Sequence, residues 1–137
     1  MEPAGSTGVM GGEQDMNDST EQPRVLVVED EYLIRMLLED MLADLGYAVA
    51  AAVGSIAEAR AHAADGDFSA AILDVNLEGQ EIFPVADILA ARRLPFVFVT
   101  GYGERSLPER YRDRPALQKP FQAEQLEKAL ANLRATA

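Results

Sequence analysis

Short apolar runs recur along the chain, and four of them stop at a polar group. Arg24–Val28 leads into Glu29-Asp30, Ala70–Leu73 into Asp74, Pro95–Val99 into Thr100-Gly101, and Pro115–Gln118 into Lys119-Pro120. Ala70–Leu73 is too short and too continuously apolar for an amphipathic helix and reads as a buried strand, as the others do. Between the runs the period lengthens. Leu33, Leu37, Leu38, Met41, Leu42 and Leu45 recur at helical spacing, with Arg35, Glu39, Asp40 and Asp44 mostly on the other side. Gly46 ends that helix in the usual C-terminal way. Tyr47–Val53 fits helix or strand by pattern, and the flanking Gly46 and Gly54 favour a strand. Ser55, with Glu58 three residues on, forms a capping-box start for a second helix running to about Asp65. Glu81–Arg93 reads as a third helix, with Pro84 tolerable in its first turn. Residues 104–113 are polar and Pro-interrupted, which predicts a short or irregular fourth helix. Gln122–Leu133, with Leu126, Leu130 and Leu133 on one face, gives the last. Strand and helix thus alternate five times, the pattern of a parallel sheet covered on both faces with right-handed crossovers.

Composition narrows the possibilities. A chain of 137 residues with 48% hydrophobic positions has room for one domain with a real core plus a tail. Residues 1–22 carry five acids and no base and almost no branched aliphatics. Such a segment cannot bury enough surface to offset its ordering entropy, so we expect a disordered acidic tail over 1–22 and a folded domain over 23–137. The absence of cysteine excludes disulfides and thiol chemistry. A net charge of -11 argues against general nucleic-acid binding. No apolar run approaches the ~20 residues of a membrane helix, and the N-terminus lacks a signal-peptide pattern. The expectation is a cytoplasmic protein with no nucleic-acid or membrane partner.

The polar groups at the ends of the runs carry the chemistry. Open α/β sheets build their sites at the carboxyl edge, where loops leave a rigid scaffold. Glu29, Asp30 and Asp74 would meet there, and two like charges ~4 Å apart repel by about 4 kcal/mol at an effective dielectric of 20. Hard oxygen ligands with an incomplete shell suit Mg²⁺ (or Mn²⁺). Asp30, Asp74 and the Asn76 backbone carbonyl are the expected direct ligands, with Glu29 acting mainly through water. Beside a metal, Asp74 is a carboxylate nucleophile suited to an aspartyl-phosphate. Lys119 and the Thr100 hydroxyl would each meet a phosphoryl oxygen, and Gly101 leaves the backbone open to approach. Lys119-Pro120 is a candidate cis peptide. Each piece alone has an ordinary reading: a helix cap for Glu29-Asp30, a turn for Asp74, a solvated charge for Lys119. Their conjunction, each after an apolar run, favours a single site.

These residues make the chain resemble, over about residues 24–134, the receiver domain of two-component response regulators. The matching motifs are Val27-Val28-Glu29-Asp30-Glu31, Ile72-Leu73-Asp74-Val75-Asn76, Val99-Thr100-Gly101 and Gln118-Lys119-Pro120-Phe121. The resemblance implies a flavodoxin-like, doubly wound five-stranded parallel sheet in the order 2-1-3-4-5. It also implies Mg²⁺-dependent phosphotransfer from a histidine kinase to Asp74, without classical enzyme activity. With no residue after Ala137 to form an output domain, the chain looks like a single-domain regulator. Pro95-Phe96-Val97-Phe98-Val99-Thr100-Gly101-Tyr102-Gly103 is similar to the "FAT GUY" subgroup of receivers, with Val99 where that motif usually has Ala. That subgroup is associated with kinases of the HWE type and often with general stress signalling. The chain departs from many receivers in placing Ala116 three residues before the lysine, where a switch aromatic is usual. Thr100 and Tyr102 are the expected switch pair instead. Downstream, a phosphotransfer or effector protein is expected, or a phosphate-sink role with none. The alternatives are a receiver-like adaptor that binds partners without phosphorylation and, less favoured, a haloacid-dehalogenase-like phosphatase, which would place its nucleophile after the first strand.

Overall fold

The computed structural model describes residues 22–77, 79–101 and 107–136. The tail expected over 1–22 falls outside them except for Gln22, and so do Glu78 and Tyr102. Five strands form the main sheet: β1 (Arg24–Val28), β2 (Ala48–Val53), β3 (Ala70–Asp74), β4 (Phe96–Thr100) and β5 (Ala116–Gln118). Four helices alternate with them: α1 (Tyr32–Asp44), α2 (Ile56–Asp65), α3 (Phe83–Ala91) and α4 (Ala123–Thr136). All pairings in the sheet are parallel, and the strand order is 2-1-3-4-5, as the resemblance implied.

Strand parity divides the core into two layers. Leu26, Val28, Ala71, Leu73, Phe96 and Phe98 face one way and pack with Ala59 and Ala63 of α2 and Val85 and Leu89 of α3. Val25, Val27, Ala70, Ile72, Val97 and Val99 face the other way, onto Leu38 and Leu42 of α1 and Leu126 and Leu130 of α4. A period of two with both faces covered is why these strands read as unbroken apolar runs.

Local chemistry sets the boundaries. Gly46, at φ +92, lets its own N–H donate to the Ala43 carbonyl and the Tyr47 N–H to that of Leu42, closing α1 in a Schellman turn. Ser55 caps α2 by accepting the Glu58 N–H at 3.2 Å, and its hydroxyl donates to Glu58 Oε1 at 3.1 Å. The expected third helix is shorter than its pattern. Gln80–Glu81 pairs antiparallel with Asn76–Leu77 in a two-residue ladder, so α3 begins only at Phe83, with Pro84 in its first turn. It stops at Ala91, where Arg93 takes a positive φ of 62°. Within 107–113, the described part of the expected fourth helix, the only helical turn is a 3₁₀ turn at Glu109–Tyr111.

Of the apolar residues that recur at helical spacing along α1, only Leu38 and Leu42 are fully covered, while Leu33 is 78% and Leu37 51% exposed. The apolar arc of this helix is wider than the groove it fills, so Tyr32, Leu33, Met36 and Leu37 stand in solvent. Among the described residues no helix is long and apolar enough to cross a membrane.

Candidate functional site

Sheet register brings the scattered polar groups to one edge. Val28 lies beside Leu73, Asp74 beside Val99, and Thr100 beside Gln118. The residues at or just past these pairs are therefore Glu29, Asp74, Thr100 and Lys119. Backbone bonds extend the ladders to hold them. The Glu29 N–H donates to the Val53 carbonyl at 3.0 Å, and the Lys119 N–H to the Thr100 carbonyl at 2.9 Å. The Lys119-Pro120 peptide is cis, as expected from sequence.

Tyrosines aside, the buried polar side chains among the described residues are Glu29, Asp74 and Thr100, all of this site. One carboxylate oxygen from each of Glu29, Asp30 and Asp74 lies within 4.8 Å of the other two. The Lys119 ammonium stands 2.9 Å from Glu29 Oε1, 3.5 Å from Asp74 Oδ2 and 3.6 Å from Glu31 Oε1. Short backbone donors fix the acids: the Glu31 N–H reaches Glu29 Oε2 at 3.0 Å, and the Asn76 N–H reaches Asp74 Oδ1 at 3.3 Å. Among the described residues, a Cβ placed on Gly101 would meet nothing within 4 Å.

This acid set fits a hard divalent cation. Glu29 Oε1 is buried without a hydrogen bond. Its one close partner is the Lys119 ammonium at 2.9 Å, a contact that Lys119 shares with Asp74 and Glu31. A single shared ammonium does not offset three carboxylates gathered within 4.8 Å of one another, and burying them is costly without further positive charge. The electrostatics agree. The Asp74 carboxyl is pushed up to about 7, first by burial and then by its contact with Glu29, against the pull of Lys119 and the Asn76 N–H. Burial alone would lower Lys119, yet its bond to Glu29 and the charges of Asp74, Glu29 and Glu31 leave it above its ordinary value. One ammonium among four carboxylates leaves the site strongly negative.

All the sequence-predicted site residues within the described chain therefore sit on this edge; Tyr102 is outside the described residues. Sequence reasoning did not assign Glu31 to the site, although it directly follows the acid pair. Nor did it assign Arg35, whose Nη1 donates to the Glu29 carbonyl at 2.9 Å; its helical position suggested only a solvated face.

The chain is similar to known proteins in sequence and in fold. Residues 25–131 match the response regulator receiver domain. The chain is 37% identical over 108 residues to the transcriptional regulatory protein PdtaR of Mycobacterium tuberculosis, covering 76% of this chain and 53% of that protein. It thus spans about half the length of that curated relative. The solution structure of SdrG from Sphingomonas melonis Fr1 matches with a TM-score of 0.74 at 50% identity, covering 83% of this chain and 98% of that one. The BeF3-activated conformation of SdrG matches with a TM-score of 0.70 at 52% identity, covering 80% and 94%. The receiver domain of the sensor histidine kinase PA1611 from Pseudomonas aeruginosa, with a magnesium ion coordinated in its active-site cleft, matches at 0.72 and 25% identity, covering 83% and 98%. With its register, its acid edge and these likenesses together, the chain belongs to the response regulator receiver domain family.

Proposed function

We propose that Asp74 accepts a phosphoryl group from a histidine kinase, that the site works with Mg²⁺ (or Mn²⁺), and that the phosphorylated protein signals by contact with another protein. One observation carries the reading: three carboxylates lie within 4.8 Å of one another beside the Lys119 ammonium. Asp30, Asp74 and the Asn76 backbone carbonyl would hold the cation directly, and Glu29 through water. When bound, the cation would supply positive charge that offsets the acids and the charge of the incoming phosphoryl group. The magnesium in the PA1611 receiver supports this assignment.

The chain's own groups do the rest. Asp74 is nucleophilic only when ionised, and burial works against that; Lys119 works for it. An Asp74 carboxylate oxygen forms the new bond to phosphorus as the P–N bond to the donor imidazole breaks, its electron pair returning to the ring nitrogen. Lys119 then follows the charge from Glu29 to a phosphoryl oxygen, and the Thr100 hydroxyl donates to another. With no side chain, Gly101 would leave its backbone open to the approach of the group. Thr100 and Tyr102 would report the change to the segment after β4, biasing a two-state surface that a phosphotransfer or effector protein reads. The BeF3-activated form of SdrG supports an equilibrium of this kind. A kinase of the HWE type is the donor suggested by the residues around Thr100, and the receiver unit would comprise residues 23–137 and work in the cytoplasm.

The test is direct. With Mg²⁺ and either a small phosphoryl donor or autophosphorylated kinases, the protein should gain one phosphoryl group by intact mass. Asp74→Asn should gain none, and chelation should abolish the gain. A wild-type protein that stays unmodified under every donor while still capturing its partner would establish the adaptor reading instead.

A further inference from the structure

The acid pair Glu29-Asp30 sits on a loop between β1 and α1, and Glu29 is held from three directions, two of them through its backbone. The Glu29 N–H is bonded to Val53 of β2 at 3.0 Å. The Glu31 N–H is bonded to Glu29 Oε2 at 3.0 Å. The third hold comes from inside α1, where the Arg35 side chain folds back toward the helix start and Nη1 donates to the Glu29 carbonyl at 2.9 Å. Its guanidinium also lies 5.6 Å from the centre of the Tyr32 ring.

This path is open only because position 54 lacks a side chain. A Cβ on Gly54 would come within 2.4 Å of Arg35 Nη1. Its other neighbours, the Glu29 carbonyl oxygen at 3.5 Å and Asp30 Cα at 3.6 Å, would be at ordinary contact distance. A methyl group there would force the guanidinium to shift from its seat, while these two backbone atoms need not move. Gly54 is therefore a slot for Arg35, cut at the end of the neighbouring strand. We infer that Arg35, seated over Gly54, is a positioning residue that sets the direction in which Glu29 and Asp30 face Asp74, and so tunes divalent-cation affinity at the acid edge. The inference rests on the function proposed above, because the group it serves is the cation of that site. Charge-assisted bonds to a carbonyl are among the stronger ones, and groups that orient metal ligands typically govern affinity by 10–100-fold.

The experiment is a double-mutant cycle with two readouts. Mg²⁺ affinity is measured by calorimetry on the wild type, Arg35→Ala, Gly54→Ala and the double variant, and backbone amide shifts of residues 29–31 are recorded without metal. Each single change is expected to weaken Mg²⁺ binding about tenfold. The two should produce the same amide shifts, and Gly54→Ala should cost nothing further once Arg35 is gone. Arg35→Lys, which keeps one donor, should restore part of the affinity. Phosphorylation at saturating Mg²⁺ should stay near the wild-type level in all of them, since the acids themselves are intact. Arg35→Gln stands in if the alanine variant fails to fold. Additive losses, or wild-type affinity with unmoved amides in either single variant, would overturn the inference. If the wild type itself takes up no Mg²⁺, the proposed function fails, and the metal-free amide shifts still decide whether Arg35 and Gly54 act as one clamp.

Discussion

Asp74 owes its character to its surroundings. It lies at the end of a strand buried along its whole length, and its carboxyl is pushed from 3.8 up to about 7 by burial and by Glu29. The consequence for stability has a definite sign. Between about pH 4 and about 7 the native metal-free protein holds a proton on Asp74 that the unfolded chain has released. Stability from this group is therefore complete below the unfolded value and is lost as pH rises through about 7. Metal-free wild type should melt at a lower temperature at pH 8 than at pH 5, and Asp74→Asn should flatten that difference. Mg²⁺ requires the ionised carboxylate, so its binding should weaken as pH falls below about 7. An Asp74 side-chain carbon signal that titrates near 4 without metal would contradict this. The place of Asp74 at a strand end was legible in the sequence, because it follows an apolar run as Glu29-Asp30, Thr100 and Lys119 do. Arg35 was not: a helix wheel records which way a residue points, but not that a long side chain folds back to a carbonyl six residues earlier.

At the scale of elements, the segment after β4 is pinned at its far end. Tyr111 lies among Phe83, Phe96 and Phe98, with ring centres 5.5–6.2 Å away. Its hydroxyl donates to Asp87 of α3, which also takes two bonds from Arg110 at 3.1 Å. Arg110 and then Tyr111 hold the Asp87 carboxyl below its usual range. Tyr111→Phe removes one hydrogen bond and should cost about 1 kcal/mol in urea unfolding. Tyr111→Ala also empties part of an aromatic cluster and should cost about 3–5 kcal/mol. Equal losses for the two would mean that the ring contributes nothing to packing. The same segment shows where pattern reading stops. Within 107–113 the prolines and charges predicted irregularity correctly, but an aromatic anchored by a distant aspartate leaves no period to find. The ladder of Asn76–Leu77 with Gln80–Glu81 is invisible for a similar reason: two-residue strands are shorter than any period, so the sequence pattern placed the start of α3 too early. Gly46, Gly54 and Ser55, whose roles are set by backbone geometry, marked their boundaries well.

Across the whole molecule, the topology was readable because a doubly covered parallel sheet leaves a strong trace: continuous apolar strands separated by amphipathic helices. What the trace could not say is how much of each apolar face the sheet would cover. On α1 it covers Leu38 and Leu42 and leaves Tyr32, Leu33, Met36 and Leu37 exposed. That patch adjoins a groove of about 330 Å³ lined by Ile34, Leu37, Leu38, Lys119, Pro120 and Phe121. Lys119 belongs to both the groove and the acid edge. In a chain of net charge -11, an apolar surface beside the proposed acceptor would offer a protein donor a footing that does not depend on charge attraction. A small-molecule donor has no need of that footing. Leu33→Asp and Leu37→Ala should therefore slow phosphotransfer from the kinase by at least about tenfold, a loss of about 1.4 kcal/mol of binding. Neither should alter uptake from a small phosphoryl donor at the same Mg²⁺ concentration. Both residues are exposed, so their unfolding midpoints should stay near the wild-type value. Equal slowing with both donors would place the defect in the acid edge itself, and unchanged transfer from the kinase would mean that the donor approaches over another face.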